Sequence, residues 1–419
     1  MSDVTSYGIT FRSGESKLNT QPVTNRDLTD NAVWGLPGPN ENIRMPQNRT
    51  RAASLIGCVL LAGSVLAACG GGSSSGSSGS TGSTKATNIT LLKTIATVSS
   101  TVDPVNGDNN PYALAFAPTG FTGDGIASHI QPGDLVVSNF SNAAGVQSLG
   151  TTFEALRNGA PVRVFSQVAS TVSGGGTVTT SGAIEMAFGS TGVNWIANLG
   201  PNLNGSQGNV QVVNPAGTVL ATLTDPRVIG GFGQAYNGGY LGKQAFFTVN
   251  ITNGTVVRIN ASTFPFTYQV LTPSLAHTAT SAGGTPTGPS GMVYASNDTL
   301  YVVNGANNTI IAIPNSTTTT SVTSGTTVFS GAPLAQPILM TQNPINGDLI
   351  VANQNNNNIV EITTSGKVVG TKTVDPTPVN TTTGAGSGLF GIVATTDSGG
   401  NLNVYFTDDN DNTVKKVSP

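Results

Sequence analysis

Short apolar runs alternate with polar turns along most of this chain, and one such unit recurs. In its clearest copy, the run from Gly347 to Asn353 ends in Asn, and a turn of Gln and four Asn residues follows. A second run, from Ile359 to Thr363, then ends at a Ser-Gly turn. Runs rich in β-branched residues, bounded by residues that cap their own turns, indicate a β-hairpin.

The strand-ending Asn or Asp returns along the chain at intervals of 49 to 59 residues, at positions 139, 198, 250, 304, 353 and 408. A small-residue-rich strand precedes each hairpin, at 112–116, 182–188, 231–236, 291–294, 337–340 and 391–394. A further strand follows most hairpins, at 162–168, 219–223, 267–271, 326–329 and 368–374. Small residues suit innermost strands that crowd a central axis. The pattern predicts an all-β fold, a six-bladed β-propeller with four strands per blade.

The last unit has no fourth strand of its own after Val417, whereas an unassigned strand, Ile89 to Val98, precedes the first unit. We expect this N-terminal strand to complete the last blade. Pairing the two would close the ring and remove an exposed strand edge.

Residues 89–419 resemble NHL-type propeller repeats. The resemblance consists of a Gly- or Pro-led strand, an apolar strand ending in Asp or Asn, a polar turn and an Asn-x-Ile segment. It implies the propeller fold and leaves the function open.

The chain before the repeats is of another kind. Arg49 and Arg51 precede an uncharged apolar stretch from Ala52 to Ala68, followed by Cys69. This is the layout of a secretory signal, and Leu-Ala-Ala-Cys at 66–69 resembles the bacterial lipobox, which implies a lipidated Cys69. The alternative is a transmembrane helix, but 17 residues are short for a hydrocarbon core of about 30 Å.

These features predict four segments: 1–44, a non-native or disordered extension; 45–68, a lipoprotein signal peptide; 69–87, a linker rich in Gly, Ser and Thr; and 88–419, the propeller. Because a signal peptide works at the start of a chain, we expect translation to begin at Met45. Cys58 would leave with the signal, so the mature chain would contain no disulfide. The expected location is the bacterial cell envelope, with the membrane as a partner through Cys69.

Charged residues are only 9% of the chain, against about 25% in typical soluble proteins. No basic stripe or aromatic platform is present to bind phosphates, so nucleic acid is not expected as a partner. His129 and His277 have no metal-ligand spacing, and no cofactor motif is recognised.

Carboxyl groups are the remaining candidates for chemistry. Asp408, Asp409 and Asp411 lie within four residues, and hard cations such as calcium prefer clustered oxygen ligands. Their loop lacks the glycine and distal Glu of an EF-hand, so a solvated turn is the alternative. Asp103 and Asp108 precede the first inner strand and are candidates to line the channel mouth. The recurring Asn and Asp residues are interpreted as turn caps rather than as a ring of ligands.

Two families of propeller enzymes offer a comparison. Gluconolactonase-like enzymes hold a divalent metal in the channel with Glu, Asn and Asp, and Glu185 on an inner strand is the weak candidate here. Streptogramin-lyase-like proteins rely on a histidine pair, and His129 and His277 do not follow that context. We therefore expect a lipid-anchored binding module for an unknown protein, glycan or small molecule. The alternatives are a metal-dependent lactonase-like or lyase-like enzyme and a structural envelope protein.

Overall fold

A computed structural model describes residues 85–167, 170–171, 177–178, 180–203, 205–278 and 286–419. In this part of the chain, six four-stranded antiparallel sheets form a ring of blades. The predicted signal peptide, Cys69 and most of the predicted linker lie outside the described residues. No helix in the described ranges is both long enough and apolar enough to cross a membrane.

The strands follow the order of the chain. The first, β1 (Thr94–Ser100), belongs to the last blade. Blade 1 contains β2 (Asn109–Phe116), β3 (Leu135–Ser141), β4 (Thr152–Arg157) and β5 (Ala160–Ser166), and a short hairpin of β6 (Ser170–Thr171) and β7 (Thr177–Val178) follows. Blade 2 contains β8 (Ala183–Phe188), β9 (Asn194–Asn198), β10 (Asn209–Val213) and β11 (Val219–Leu223). Blade 3 contains β12 (Gly231–Tyr236), β13 (Ala245–Asn250), β14 (Thr255–Asn260) and β15 (Thr267–Val270).

The second half of the ring repeats this arrangement. Blade 4 contains β16 (Pro289–Ala295), β17 (Thr299–Asn304), β18 (Thr309–Pro314) and β19 (Thr326–Ser330). Blade 5 contains β20 (Pro337–Gln342), β21 (Leu349–Asn353), β22 (Asn358–Ile362) and β23 (Val368–Thr373). Blade 6 contains β24 (Leu389–Thr396), β25 (Leu402–Asp408), β26 (Thr413–Ser418) and β1. Two 3₁₀ turns, Ile89–Leu91 and Tyr240–Gly242, are the helical elements of the described ranges.

The alternation of strand directions gives the ring two different faces. Loops from the second to the third strand of a blade, and connections from a fourth strand to the next blade, lie on one side, which we call the upper face. Loops from the first to the second strand, and from the third to the fourth, lie on the lower face. The inner strands of neighbouring blades contact one another around the ring.

The predicted closure by the N-terminal strand is confirmed. β1 pairs antiparallel with β26, and Ile95 lies opposite Val417. The paired strand begins later than predicted, because Ile89–Leu91 forms a 3₁₀ turn capped by the Asn88 side chain.

The segment before β1 is fastened to blades 5 and 6. Buried Glu361 accepts a hydrogen bond from the Ile89 N–H at 2.7 Å, and Asn343 donates to the Thr87 carbonyl at 2.9 Å. The Leu402 N–H donates to the Ala86 carbonyl at 2.7 Å. The packed chain therefore already includes Ala86, two residues before the segment boundary predicted at 88.

The middle of each blade is closely packed. The second strands β3, β9, β13, β17 and β21 are buried at every residue, because neighbouring blades cover both of their faces. Trp195 and Tyr301 lie in these strands and belong to the core. Glycine is needed where inner strands meet, since a Cβ atom at Gly233 would overlap the Ser290 carbonyl and one at Gly391 would overlap the Tyr112 carbonyl.

Blade 1 departs most from the sequence pattern. Its third strand, β4, was not predicted, because it carries Glu154 and Arg157 in place of the usual β-branched run. Glu154 is nevertheless fully buried. A buried polar strand has no recognisable period in the sequence, so only the pairing of β3 with β4 reveals it.

Candidate functional site

The strand-ending Asn side chains lie on the upper face and hold the interblade connections. Four of them donate through Nδ2 to a backbone carbonyl of the connection that precedes their own blade. These pairs are Asn139 with Thr101 at 2.8 Å, Asn250 with Arg227 at 2.7 Å, Asn304 with Ala276 at 2.9 Å and Asn353 with Pro333 at 2.9 Å. The recurring residues therefore have a structural role.

Two of the six strand-ending residues cap their own turns, as predicted. Asn304 accepts a hydrogen bond from the Ala306 N–H at 2.9 Å, and Asp408 accepts one from the Asn410 N–H at 3.1 Å. In each of the four tethers, the Nδ2 group joins the end of a strand to the preceding connection. The connections around the mouth of the ring are thus fixed by side chains that a ligand does not need to contact.

The inner strands lie around the centre of the ring and carry large buried side chains near this face. Each shifts its register directly after the residue that pairs with the strand-ending Asn or Asp. The next residue in five of the six strands is large and apolar, and all five belong to one buried cluster: Tyr112, Ile184, Phe232, Ile338 and Phe390. The Tyr112 ring stacks on Phe390 with 4.0 Å between ring centroids and on Phe140 with 4.3 Å.

A pocket of about 290 Å³ lies on the upper face next to these side chains, and we call it the mouth pocket. Tyr112 and Phe390 belong to its lining and are almost fully buried. Its amide side chains come from blades 1 and 5 and from the connection between blades 4 and 5: Gln147, Gln336, Gln354 and Asn355. Hydroxyl groups come from Thr287, Ser387 and the connection at 381–383.

Asp409 is the one carboxyl among the described residues that line the mouth pocket. Burial, and then the neighbouring charge of Asp408, raise the pKa of Asp409 to about 7. A group that titrates near neutrality can both donate and accept protons under ordinary conditions. Among the residues proposed from the sequence, Asp409 is the one that the fold places in the mouth pocket.

Asp408 and Asp411 face away from it. Lys415 binds both carboxylates, with Nζ 2.6 Å from Asp408 Oδ2 and 2.7 Å from Asp411 Oδ2. Burial raises the pKa of Asp408, although Lys415 opposes this effect. The three acidic residues of this loop are therefore divided between a lysine and the pocket.

Glu185 lies on the inner strand β8, as expected, but it points towards the next blade. Its Oε2 accepts a hydrogen bond from the Gln234 N–H at 2.8 Å. Burial raises the pKa of Glu185 well above the usual range. A protonated carboxyl held by one backbone N–H is a poor metal ligand, and no group of three or more His, Cys, Asp or Glu residues in the described ranges is arranged to hold a metal ion.

Asp103 and Asp108 lie in the connection on the upper face, but neither lines the mouth pocket. Arg163 on β5 pairs with Asp103, and Nε of Arg163 lies 2.7 Å from Asp103 Oδ1. Burial would raise the pKa of Asp103, but the hydrogen bonds from Arg163 and from the Asn106 and Val105 N–H groups lower it. Asp108 accepts a hydrogen bond from the Thr151 N–H at 2.8 Å.

The two histidines lie in loops and are far from each other in sequence. Nδ1 of His129 is 2.6 Å from Asp124 Oδ2, and Nδ1 of His277 is 2.8 Å from the Leu275 carbonyl. Neither lines the mouth pocket. Sequence reasoning missed the amide residues of the pocket, because Gln and Asn in polar turns carry no signal until the turns are brought together.

Comparison with known proteins supports the fold. A gluconolactonase from Xanthomonas campestris is 12% identical with a TM-score of 0.51, covering 80% of this chain and 93% of that one. A streptogramin B lyase is 16% identical with a TM-score of 0.44, covering 78% of this chain and 87% of that one. A chain of a nidogen–laminin complex is 13% identical with a TM-score of 0.44, covering 73% and 88%. No family model matches the sequence, and no curated protein matches it. The six four-stranded sheets make the fold of the chain a six-bladed β-propeller, and similarities at such low identity say nothing of its activity.

Proposed function

We propose that this propeller is a binding module and that it takes a neutral, hydroxyl-rich ligand, such as a saccharide unit, in the mouth pocket. One observation carries the proposal: amide and hydroxyl side chains surround a floor of stacked aromatic rings, with a single carboxyl beside them. This polar lining suits a ligand rich in hydroxyl groups.

The chemistry of the lining supports that ligand class. Each amide offers both donors and acceptors, and a sugar hydroxyl also does both. The Tyr112 and Phe390 rings are almost fully buried, so the polar side chains provide most of the surface that a ligand would meet. The volume of about 290 Å³ is at the small end of the ligand pockets of proteins, which span about 300–1,000 Å³. It suits one or two rings of a ligand rather than a segment of folded protein.

Binding should be measured by saturation-transfer NMR and calorimetry with neutral oligosaccharides, using residues 85–419. We expect Gln354→Ala and Gln336→Ala to weaken binding, because both side chains line the mouth pocket. They also hold each other in position through a hydrogen bond of 2.9 Å. Asn158→Ala, which changes an exposed amide between the third and fourth strands of blade 1 on the lower face, is the matched control. Binding that all of these variants leave unchanged would overturn the placement, and the absence of binding by any neutral saccharide would overturn the ligand class.

Asp409 gives the binding a pH signature. An ionised carboxylate accepts stronger hydrogen bonds from hydroxyl groups than a neutral one does. Since the pKa of Asp409 is raised to about 7, affinity should increase between pH 6 and pH 8. Asp409→Asn should remove this dependence, and an unchanged pH profile in that variant would exclude Asp409 from the site.

The same pKa favours a second candidate, an enzyme that uses Asp409 as a general acid–base. A lactonase-like version would need a divalent metal, and Glu185 could be its ligand only after losing the proton that burial favours. Thermal melts with EDTA, followed by Ca²⁺, Mg²⁺, Mn²⁺ or Zn²⁺, distinguish the two. A ligand at 100 times its dissociation constant stabilises by about 2.7 kcal/mol. We expect no metal-specific rise for the binding module, and a rise lost in Glu185→Gln would favour the enzyme.

We further propose that the module is tethered to a membrane of the bacterial envelope through a lipid on Cys69. The support is the order of basic flank, apolar stretch, lipobox-like motif and Gly/Ser/Thr segment in the sequence. Metabolic labelling with a palmitate analogue should mark the full-length protein in bacteria and fail with Cys69→Ala. Labelling that survives Cys69→Ala would refute this anchor.

A further inference from the structure

A second pocket lies on the lower face, between blades 3 and 4, and has a different character. It has a volume of about 450 Å³. Lys243 follows the first strand of blade 3, Ser262 follows its third strand, and Thr317 and Thr318 belong to the loop between the third and fourth strands of blade 4. All of these loops belong to the lower face, opposite the mouth pocket. We call this cavity the lower pocket.

Two cations line the lower pocket, and neither has an acidic partner in the described ranges. Arg258 lies on β14 and Lys243 lies in the loop before β13. The ion pairs between described residues are formed by other side chains. Arg258 is only partly exposed, and burial lowers its pKa. A partly desolvated guanidinium without a carboxylate against it favours an added anion.

The guanidinium of Arg258 is held in place and still has free donors. Its Nη1 donates to the Ser316 carbonyl at 2.8 Å and to the Thr319 carbonyl at 2.9 Å. The hydrogen bonds between described residues give no acceptor to its Nε or Nη2. Because these two groups form the planar fork that matches an oxyanion, the arrangement leaves the recognition edge available.

The negative charge of Asp298 acts to raise the pKa of Arg258. The Asp298 carboxylate, however, is hydrogen-bonded to other groups. Its Oδ1 accepts hydrogen bonds from the Thr317 N–H at 2.8 Å, from the Tyr294 hydroxyl at 3.1 Å and from the Ser316 hydroxyl at 3.3 Å. Asp298 is almost fully buried. It therefore orders the blade 4 loop that forms one wall of the lower pocket, and it forms no ion pair with Arg258.

From the two unpaired cations and the polar cavity around them, we infer that the lower pocket binds a small organic oxyanion, a hydroxyl-rich molecule that carries a phosphate, sulfate or carboxylate group. Arg258 binds the anionic group through its fork, and Lys243 adds a second charge at the rim. The cavity exceeds the size of an inorganic anion, and Asn260, Ser262 and Gln269 provide hydrogen bonds for the remainder of the molecule. This site is independent of the mouth pocket.

The test uses residues 85–419 with inorganic phosphate, sulfate, glucose 6-phosphate and glucuronate, and with glucose as the neutral control. Binding is followed by NMR, including the Arg258 Nε–Hε signal. We expect the organic anions to shift this signal and to bind more tightly than phosphate or sulfate, and we expect glucose to leave it unchanged. The pattern across the anions shows which acidic group the pocket prefers.

Two variants separate binding from folding. Lys243→Gln changes an exposed side chain without a partner in the described ranges, so it should fold normally and weaken anion binding about tenfold, the effect of losing about 1.4 kcal/mol. Arg258→Lys keeps a charge but loses the fork and should weaken binding further. Lys367→Gln, which changes an exposed lysine in the loop between the third and fourth strands of blade 5, also on the lower face, is the matched control. An Arg258 signal that no anion shifts, or anion binding that Lys243→Gln and Lys367→Gln weaken equally, would overturn the inference.

Discussion

Burial and hydrogen-bond partners together set the pKa values of the acidic side chains of the upper face. The pKa of Asp409 is raised to about 7 by burial and by Asp408, whereas the pKa of Asp103 is lowered because Arg163 and two backbone N–H groups hold its ionised form. Both are aspartates in polar turns, so the sequence places them in one class. Their opposite shifts predict opposite effects of pH on stability.

Asp409→Asn should stabilise the protein at alkaline pH. A carboxyl whose folded pKa is raised keeps its proton in the folded state, so stability falls as pH rises from about 4 to 7. A shift of about three pKa units corresponds to at most about 4 kcal/mol, and partial exposure reduces this value. We expect the variant to gain about 2–3 kcal/mol at pH 8 and little at pH 4, as measured by urea denaturation. Asp411→Asn is the control, and an equal gain at both pH values would contradict the assignment.

Asp103→Asn should lower the free energy of unfolding, and its effect should depend on pH in the opposite direction to that of Asp409→Asn. A carboxyl whose folded pKa is lowered contributes stability above its unfolded pKa, and this contribution is lost as pH falls through the folded pKa. We expect a cost of about 1–3 kcal/mol at pH 6, since Arg163 is partly exposed and solvent screens the pair. The difference from the parent protein should shrink between pH 5 and pH 2. Over that range Glu154 stays protonated, because burial raises its pKa well above the usual range. A difference that stays constant with pH would exclude the ion pair as its cause.

Single side chains fasten one structural element to the next around the upper face. The strand-ending Asn of β21 illustrates this, because Asn353 donates to the Pro333 carbonyl at 2.9 Å and accepts from the Ala335 N–H at 3.2 Å. Both partners belong to the connection from blade 4 to blade 5. The end of β21 and the connection from blade 4 are therefore held together by one side-chain amide.

Asn353→Ala should destabilise the protein by about 1–2 kcal/mol, since it leaves a partly buried carbonyl and a partly buried N–H without their partner. Asn355→Ala is a matched control two residues further on, in the same turn, because the Asn355 side chain lines the mouth pocket instead. Hydrogen exchange should show faster opening of the connection around Pro333 and Ala335 in Asn353→Ala. Equal losses of stability in the two variants would show that the tether contributes nothing specific.

At the scale of the whole molecule, the two ends of the described chain close the ring. β1 supplies the outer strand of blade 6, and the segment before it buries Ile89 and Leu92 in the core. A ring of blades transmits the loss of one interface to its neighbours, so the closure affects the stability of the entire domain rather than of blade 6 alone.

A chain that begins at residue 101 should therefore lose its cooperative folding, whereas one that begins at residue 85 should keep it. Loss of the buried Ile89 and Leu92 side chains alone removes about 3–6 kcal/mol, out of the roughly 5–15 kcal/mol that stabilise a typical domain. Circular dichroism melts of the two chains make the comparison. Glu361→Ala, which releases the Ile89 N–H, should lie between them. A fully stable chain from residue 101 would show that the closure is dispensable.

The mouth pocket and the lower pocket could not be predicted from the sequence. The residues of the mouth pocket are spread from Tyr112 to Asp409, and each is ordinary in its own loop. In the lower pocket, Arg258 follows the alternating pattern of an amphipathic strand, so its missing acidic partner is evident only once blade 4 packs beside it. Both sites are products of the order in which the ring brings its loops together.

The sequence by itself determined the number of blades, the order of their strands and the closure by β1, because hydrophobic period, turn residues and strand-ending Asn are local properties that repeat. It did not reveal β4, whose polar residues are buried by partners distant in sequence. Only the tertiary structure decided which carboxyl faces a pocket, which faces a lysine and which keeps its proton. Burial and charge pairing depend on neighbours in space, and the ring alone determines those neighbours.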